Sequence, residues 1–192
     1  MIIKNVCVFC SSSNYLDENF YSQAELLGKL IASKKWGLVY GGTKVGLMGH
    51  IAKAVLEGKS SVIGVIPKHI QAKGIENKEC TELIVTDDLS ARKNKMINRS
   101  DVFVALPGGF GTLEEIMEVI TLKQLQLHSK PVIFLNTNNF YNPLFDFFEN
   151  IFTNRFTPDR FRELYYEAPD VDAIEKYLEN YVSPVLKNKW TA

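Results

Sequence analysis

Val102-Phe103-Val104-Ala105-Leu106-Pro107-Gly108-Gly109-Phe110-Gly111-Thr112-Leu113-Glu114-Glu115 is the stretch on which the reading of the chain turns. An apolar run rich in branched side chains, stopped by Pro-Gly-Gly and followed by a long amphipathic stretch, predicts a buried strand, a tight turn and a helix. Gly108, Gly109 and Gly111 leave the backbone free to take positive φ and to approach a ligand closely. The helix start beyond them offers unpaired N–H groups and a partial positive charge. Such a turn is an anion site, and phosphate is its usual occupant. The missing Gly-Lys-Ser/Thr ending excludes the loop that grips ATP. Glu114 stands where a dinucleotide fingerprint has its third glycine.

Two readings of Glu115 compete. Thr112-Leu113-Glu114-Glu115 matches a capping box, in which Thr112 and Glu115 satisfy orphan N–H groups for about 1 kcal/mol. Alternatively Glu115 is chemical. Two carboxylates in the first turn of an anion-binding helix require at least one to lie aside, against a part of the ligand that is neutral or becomes positive. The three glycines ahead favour the chemical reading.

Working outward, a second strand-turn-helix unit runs from Leu38-Val39-Tyr40 through Gly41-Gly42-Thr43-Lys44-Val45-Gly46-Leu47-Met48-Gly49, with Leu47, Ile51, Ala54 and Val55 as a helical stripe. Lys44 reads as a solvated loop charge. The first strand ends in Ser11-Ser12-Ser13, placed to meet a ligand beyond the sheet or simply to cap the next helix. Cys7 and Cys10 lie on that strand at odd spacing, so their side chains go to opposite faces and form no metal or redox pair. His69 to Cys80 reads as a loop or frayed helix over the pocket. Leu89 to Ser100 reads as a helix with Leu89, Met96 and Ile97 buried, and Arg92, Lys93, Lys95 and Arg99 load it with positive charge. Arg92 suits bidentate recognition of phosphate or carboxylate. Beyond Glu115 the helix is expected to bury Leu113, Ile116, Met117 and Ile120 and to end near His128. A strand at Val132 to Leu135, a helix from Asn142-Pro143 and a last helix from Val171 to Tyr181 complete the chain. The aromatic cluster from Phe140 to Phe161 reads as core or as a dimer surface.

Lys+Arg and Asp+Glu both number 22 in 192 residues, so no global positive field marks a nucleic-acid binder. The apolar runs are too short to span a membrane and the amino terminus shows no signal-peptide core, so the expectation is a soluble, cytoplasmic protein. The alternation of strands and helices predicts a three-layer α/β fold over 1–192 as one domain: a mainly parallel sheet with helices on both faces and ligand contacts at the carboxyl ends of the strands.

Pro107 to Glu115, with Arg92-Lys93 upstream and Gly41-Gly42 to Gly49 earlier, resembles the Lonely Guy family of cytokinin riboside 5′-monophosphate phosphoribohydrolases, long mislabelled as lysine decarboxylases. The resemblance runs in order from Cys7 to Leu144 and implies a Rossmann-like homodimer that hydrolyses AMP or N6-modified AMP without a cofactor or metal. It implies Arg92 and Glu115 as catalytic residues. It places substrate or phosphate contacts at Ser12, Gly41, Gly42, Gly46, Met48, Lys93, Gly108, Gly109, Phe110, Gly111, Thr112, Leu113, Glu114 and Thr121. The chain departs from the family pattern at Ser11, Thr43, Ser90 and Leu122. At Gly74 it lacks a substrate-binding Glu, for which Glu76 or Glu79 are candidate substitutes. Molybdenum-cofactor carriers are similar in fold and glycine turns, and a carrier that binds without turnover is the alternative. A lysine decarboxylase would need pyridoxal phosphate on a buried lysine, and Lys44 and Lys93 are the nearest candidates.

Overall fold

The computed structural model describes residues 2–184. Seven strands, β1 (Asn5–Phe9), β2 (Gly37–Tyr40), β3 (Val62–Pro67), β4 (Glu82–Thr86), β5 (Val102–Ala105), β6 (Val132–Leu135) and β7 (Tyr166–Ala168), join in one sheet of order β4-β3-β2-β1-β5-β6-β7. Every neighbouring pair is parallel. The crossovers carry α1 (Glu18–Ser33), α2 (Gly46–Glu57), α3 (Lys68–Gln71), α4 (Leu89–Asn98), α5 (Phe110–Gln124) and α6 (Asn142–Thr153), and α7 (Val171–Glu179) follows β7.

The central strands are apolar throughout because both of their faces are covered. On one face Val6, Val8 and Cys10 pack with Leu27 and Ile31 of α1, Leu47 and Ile51 of α2, and Ile174 of α7. On the other, Cys7 and Phe9 pack with Met96 of α4, Ile116 and Val119 of α5, and Phe148 of α6. The two cysteines therefore part to opposite faces, as strand parity requires. This is the expected three-layer fold. After β1 the chain builds β2, β3 and β4 outward on one side, then crosses back to lay β5 on the other. That reversal opens a crevice at the carboxyl ends of β1 and β5.

Several expectations need correcting. α5 begins at Phe110 with Gly109 as its N-cap and no side-chain cap, so the capping box does not form. Thr112 lies inside the first turn and Glu115 in the second, buried. Leu89 is exposed rather than core, and Arg92 joins Met96 as the buried part of α4. Gly108, Gly109 and Gly111 do not adopt positive φ; Gly42 and Gly46 do. α5 ends at Gln124, short of His128, and α7 ends at Glu179. The aromatic cluster divides: Phe148, Phe152 and Phe161 are core, while Phe147 and Phe156 are exposed. The expected domain over 1–192 includes residue 1 and residues 185–192, which lie outside the described residues.

Candidate active site

A crevice of about 550 Å³ opens at the switch point. Its floor is made by Gly109, Gly111, Thr112 and Glu115 of the β5–α5 turn and by Gly41 and Thr43 after β2. Cys10 to Ser13 after β1 form one wall, Met48 of α2 and Arg92 of α4 another, and Pro67, Ile70, Lys73, Ile75 and Leu89 the rim.

Close backbone approach explains the glycines. A Cβ on Gly108 would fall 2.1 Å from Thr112 Oγ1, so only glycine lets the turn fold against α5. Gly46 has φ 58, and a Cβ there would lie 2.5 Å from the Ser12 carbonyl carbon and 2.6 Å from the Ser13 oxygen. Its N–H donates to Asn14 Oδ1 at 2.8 Å, and Leu47 N–H donates to the Ser11 carbonyl at 3.0 Å. The start of α2 is thus laced to the loop after β1. Gly46→Ala is expected to lower unfolding free energy by about 2 kcal/mol, because left-handed strain and the Ser12–Ser13 clash act together. Urea denaturation checks this, and an unchanged midpoint would contradict it.

The electrostatic centre is a buried ion pair. Arg92, 8% exposed, donates through Nε to the Val65 carbonyl at 2.9 Å and through Nη1 to Glu115 Oε1. Its Nη2 lies against Gly41, where a Cβ would come within 2.5 Å. Glu115 is 6% exposed. Burial raises its pKa above the ordinary carboxylate value, with Arg92 opposing, Glu114 adding slightly and Lys93 opposing slightly. A carboxylate with raised pKa beside a fixed cation, open to a crevice, is a setting for acid–base or charge-stabilising chemistry.

Of the residues expected at the site, Ser12, Gly41, Met48, Arg92, Gly109, Gly111, Thr112 and Glu115 border the crevice. Gly42, Gly46 and Gly108 shape its turns from behind. The others go elsewhere. Phe110 is 92% exposed, Leu113 packs against the core, and Glu114 pairs with Lys93. Lys93 also meets Glu118 at 2.8 Å, and these two carboxylates raise its pKa. Thr121 donates to the Met117 carbonyl at 2.8 Å and borders a separate apolar depression with Ile120 and Phe148. Neither Glu76 nor Glu79 borders the crevice: Glu76 bridges to Thr43 and Glu79 is exposed.

The segment from His69 to Cys80, read as lying over the pocket, does reach it through Ile70, Lys73 and Ile75, but sequence reasoning missed that Ile70, Ile75 and Leu89 make the rim apolar, because they carry no motif. It also missed Lys123, on the last turn of α5. Lys123 is 1% exposed, its Nζ has no hydrogen-bond partner among the described residues, and burial pushes its pKa down to about 8. Lys44 is exposed and Lys93 pairs with two carboxylates, and neither borders the crevice. Among the described residues no group of His, Cys, Asp and Glu is placed to hold a metal ion, and no helix is long and apolar enough to cross a membrane.

Fold and site define a class: a doubly wound parallel α/β protein whose switch-point crevice joins two glycine turns to a buried arginine–glutamate pair. A family model described as "Possible lysine decarboxylase" matches residues 48–178. The chain is 42% identical over 179 residues to the probable cytokinin riboside 5′-monophosphate phosphoribohydrolase LOGL9 of Oryza sativa subsp. japonica, covering 93% of this chain and 79% of the rice protein. It is also 42% identical over 179 residues to the cytokinin riboside 5′-monophosphate phosphoribohydrolase LOG1 of Arabidopsis thaliana, covering 93% and 84%. A solved structure of the molybdenum cofactor carrier protein from Chlamydomonas reinhardtii superposes with a TM-score of 0.71 at 27% identity, over 92% of this chain and 96% of that one. The chain belongs to the Lonely Guy family that the model and the plant relatives represent.

Proposed function

We propose that this protein hydrolyses the N-glycosidic bond of a nucleoside 5′-monophosphate, AMP or an N6-modified AMP such as a cytokinin riboside 5′-monophosphate, to free base and ribose 5-phosphate. The observation that carries this reading is the buried Arg92–Glu115 pair, set in the crevice beside two glycine turns. The names of the plant relatives support the same chemistry.

In this reading the phosphate sits on the backbone N–H groups around Gly109 and Gly111, at the positive end of α5. Glu115 faces the anomeric carbon. It stabilises the oxocarbenium-like transition state, orients the ribose hydroxyls or activates water, as carboxylates do in glycosidases. Arg92 holds the Glu115 carboxylate in place and neutralises substrate charge. The apolar rim of Ile70, Ile75 and Leu89 suits the face of a purine and an apolar N6 substituent. We further propose one nucleotide-binding domain over 1–192, working as a cytoplasmic homodimer. Three free cysteines fit a reducing compartment, and the exposed Phe147 and Phe156 offer apolar surface for a second copy.

The test is to incubate purified protein with AMP and with isopentenyl-AMP and to follow free base by chromatography. Release of base with equimolar ribose 5-phosphate is the expected result. Nucleotide bound without release would overturn the hydrolase reading. It would favour a carrier, the reading that the likeness to the Chlamydomonas protein supports.

A further inference from the structure

Three charged side chains border the crevice among the described residues: Lys73, Arg92 and Glu115. Two of them answer each other, since Arg92 is engaged by Glu115 and by the Val65 carbonyl. Lys73 is exposed, and its ammonium makes no ion pair and no hydrogen bond with any described residue. It is an uncompensated positive charge on the rim.

The backbone around Lys73 is held. Its N–H donates to the Ile70 carbonyl at 3.0 Å, at the end of α3. Gly74, with φ 71, then turns the chain, and the residues beyond are tied to the turn after β2. Lys44 N–H donates to the Ile75 carbonyl at 3.0 Å, and Asn77 N–H to the Gly42 carbonyl at 2.9 Å. Ile70 and Ile75 flank Lys73 on the rim, and the segment offers the crevice no carboxylate, because neither Glu76 nor Glu79 borders it. The segment follows β3, which lies three strand spacings from β5, about 14 Å. A nucleotide anchored by its phosphate at the β5–α5 turn and lying across the strand ends therefore brings the N6 edge of its purine to Ile70, Ile75 and Lys73.

An apolar rim by itself would reject a charged N6 arm, because an unpaired carboxylate against apolar side chains loses its hydration without return. A free ammonium within reach reverses that preference. We propose that Lys73 reads the end of the N6 substituent, so that the site takes N6-carboxyalkyl AMP: the stem lies along Ile70 and Ile75 and the terminal carboxylate pairs with Lys73. This rests on the hydrolase reading above and on its placement of the phosphate. The reaction is the same one: water adds its oxygen to the anomeric carbon, the bond from that carbon to N9 breaks, and the base leaves with a proton.

N6-(3-carboxypropyl)-AMP and N6-butyl-AMP differ only in a terminal carboxylate or methyl group. Their kcat/KM values are compared for wild type, Lys73→Met, Lys73→Glu and, as the same charge change away from the crevice, Lys44→Glu. The ratio of carboxypropyl to butyl nucleotide is expected to exceed one in wild type. It should fall about threefold in Lys73→Met, the size of an exposed ion pair, and about tenfold in Lys73→Glu, where attraction becomes repulsion. Lys44→Glu should move it less than about twofold, since an exposed charge outside the crevice is screened by salt. A wild-type ratio below one, or a ratio that Lys73→Glu leaves in place, overturns the proposal. So does an equal fall in Lys44→Glu, which would make net charge rather than a contact the cause. If wild type releases no base from AMP, the hydrolase reading fails by itself. The same ratios are then read from dissociation constants by isothermal titration calorimetry, and the same outcomes decide; a wild type that does not bind the carboxypropyl nucleotide also overturns the assignment of Lys73.

Discussion

Glu115→Gln is expected to lower the rate of base release from AMP by about a thousandfold, the scale seen when a group that stabilises developing charge is neutralised in place. Gln keeps the shape and removes the charge. The positive charge that develops on the ribose then has no carboxylate to meet, and Arg92 faces a neutral amide. Glu115→Asp keeps the charge but withdraws it by one methylene, so it should retain more activity than Gln and less than wild type. Because Arg92 is 8% exposed, leaving it without a counter-charge also strains the fold. Thermal denaturation of each variant, with Arg92→Met/Glu115→Gln beside it, separates lost chemistry from lost structure. Full activity in folded Glu115→Gln would remove this carboxylate from the mechanism.

The ionisation of Glu115 carries its own cost. Its folded pKa lies above the ordinary carboxylate value. Its contribution to stability is therefore fully present below the unfolded pKa and lost as pH rises through the folded one. The ionised form that the chemistry uses is the form the fold holds less readily.

Lys123→Met is expected to stabilise the protein at neutral pH by about 3 kcal/mol, the largest stability gain we anticipate from a single change. The folded-state pKa of Lys123 is about 8, against 10.5 for an ordinary lysine, and burial is the main cause. The sign follows from the protons bound. Below the folded pKa both states carry the proton and the folded state bears the full cost of a buried ammonium. As pH rises from there to the unfolded value the folded state alone sheds its proton, and stability climbs. Wild type should thus gain stability across that window and Lys123→Met should lack that gain. The Tyr181 ring, 5.5 Å from Nζ, and the charge of Glu163 offset part of the cost. Urea denaturation at neutral and at alkaline pH reads both effects. Equal stability of the two proteins at neutral pH would show that the ammonium finds solvent or a partner.

Lys123 also shows the limit of periodicity. On helical spacing Thr112, Glu115, Ile116, Val119, Ile120 and Lys123 share the inward face of α5, and all six are buried. Pattern reasoning picks out the isoleucines and passes over the polar members, because a buried lysine has no signature in its neighbours.

What the chain reveals unaided is what neighbouring residues encode. Val102 to Leu106 with Pro107-Gly108-Gly109 announces a strand and its stop, and the odd spacing of Cys7 and Cys10 assigns them to opposite faces of β1. The repetition of apolar runs and amphipathic stretches carries the layered α/β architecture, and the Pro107–Glu115 string carries the family. These signals are short-range, since backbone sterics and side-chain period act within a few residues. Tertiary structure decided what the same string left open. Thr112-Leu113-Glu114-Glu115 can cap a helix or lie within one. The start of α5 at Phe110 and the pull of Arg92, 23 residues away, settled it by turning Glu115 inward. Long-range packing likewise brought Lys93 to Glu118, carried Thr121 to a separate depression and left Phe110 in solvent. Those outcomes depend on how α4 and α5 rotate against the sheet and each other. Rotation is set by the whole packed interface, which no local window of residues contains.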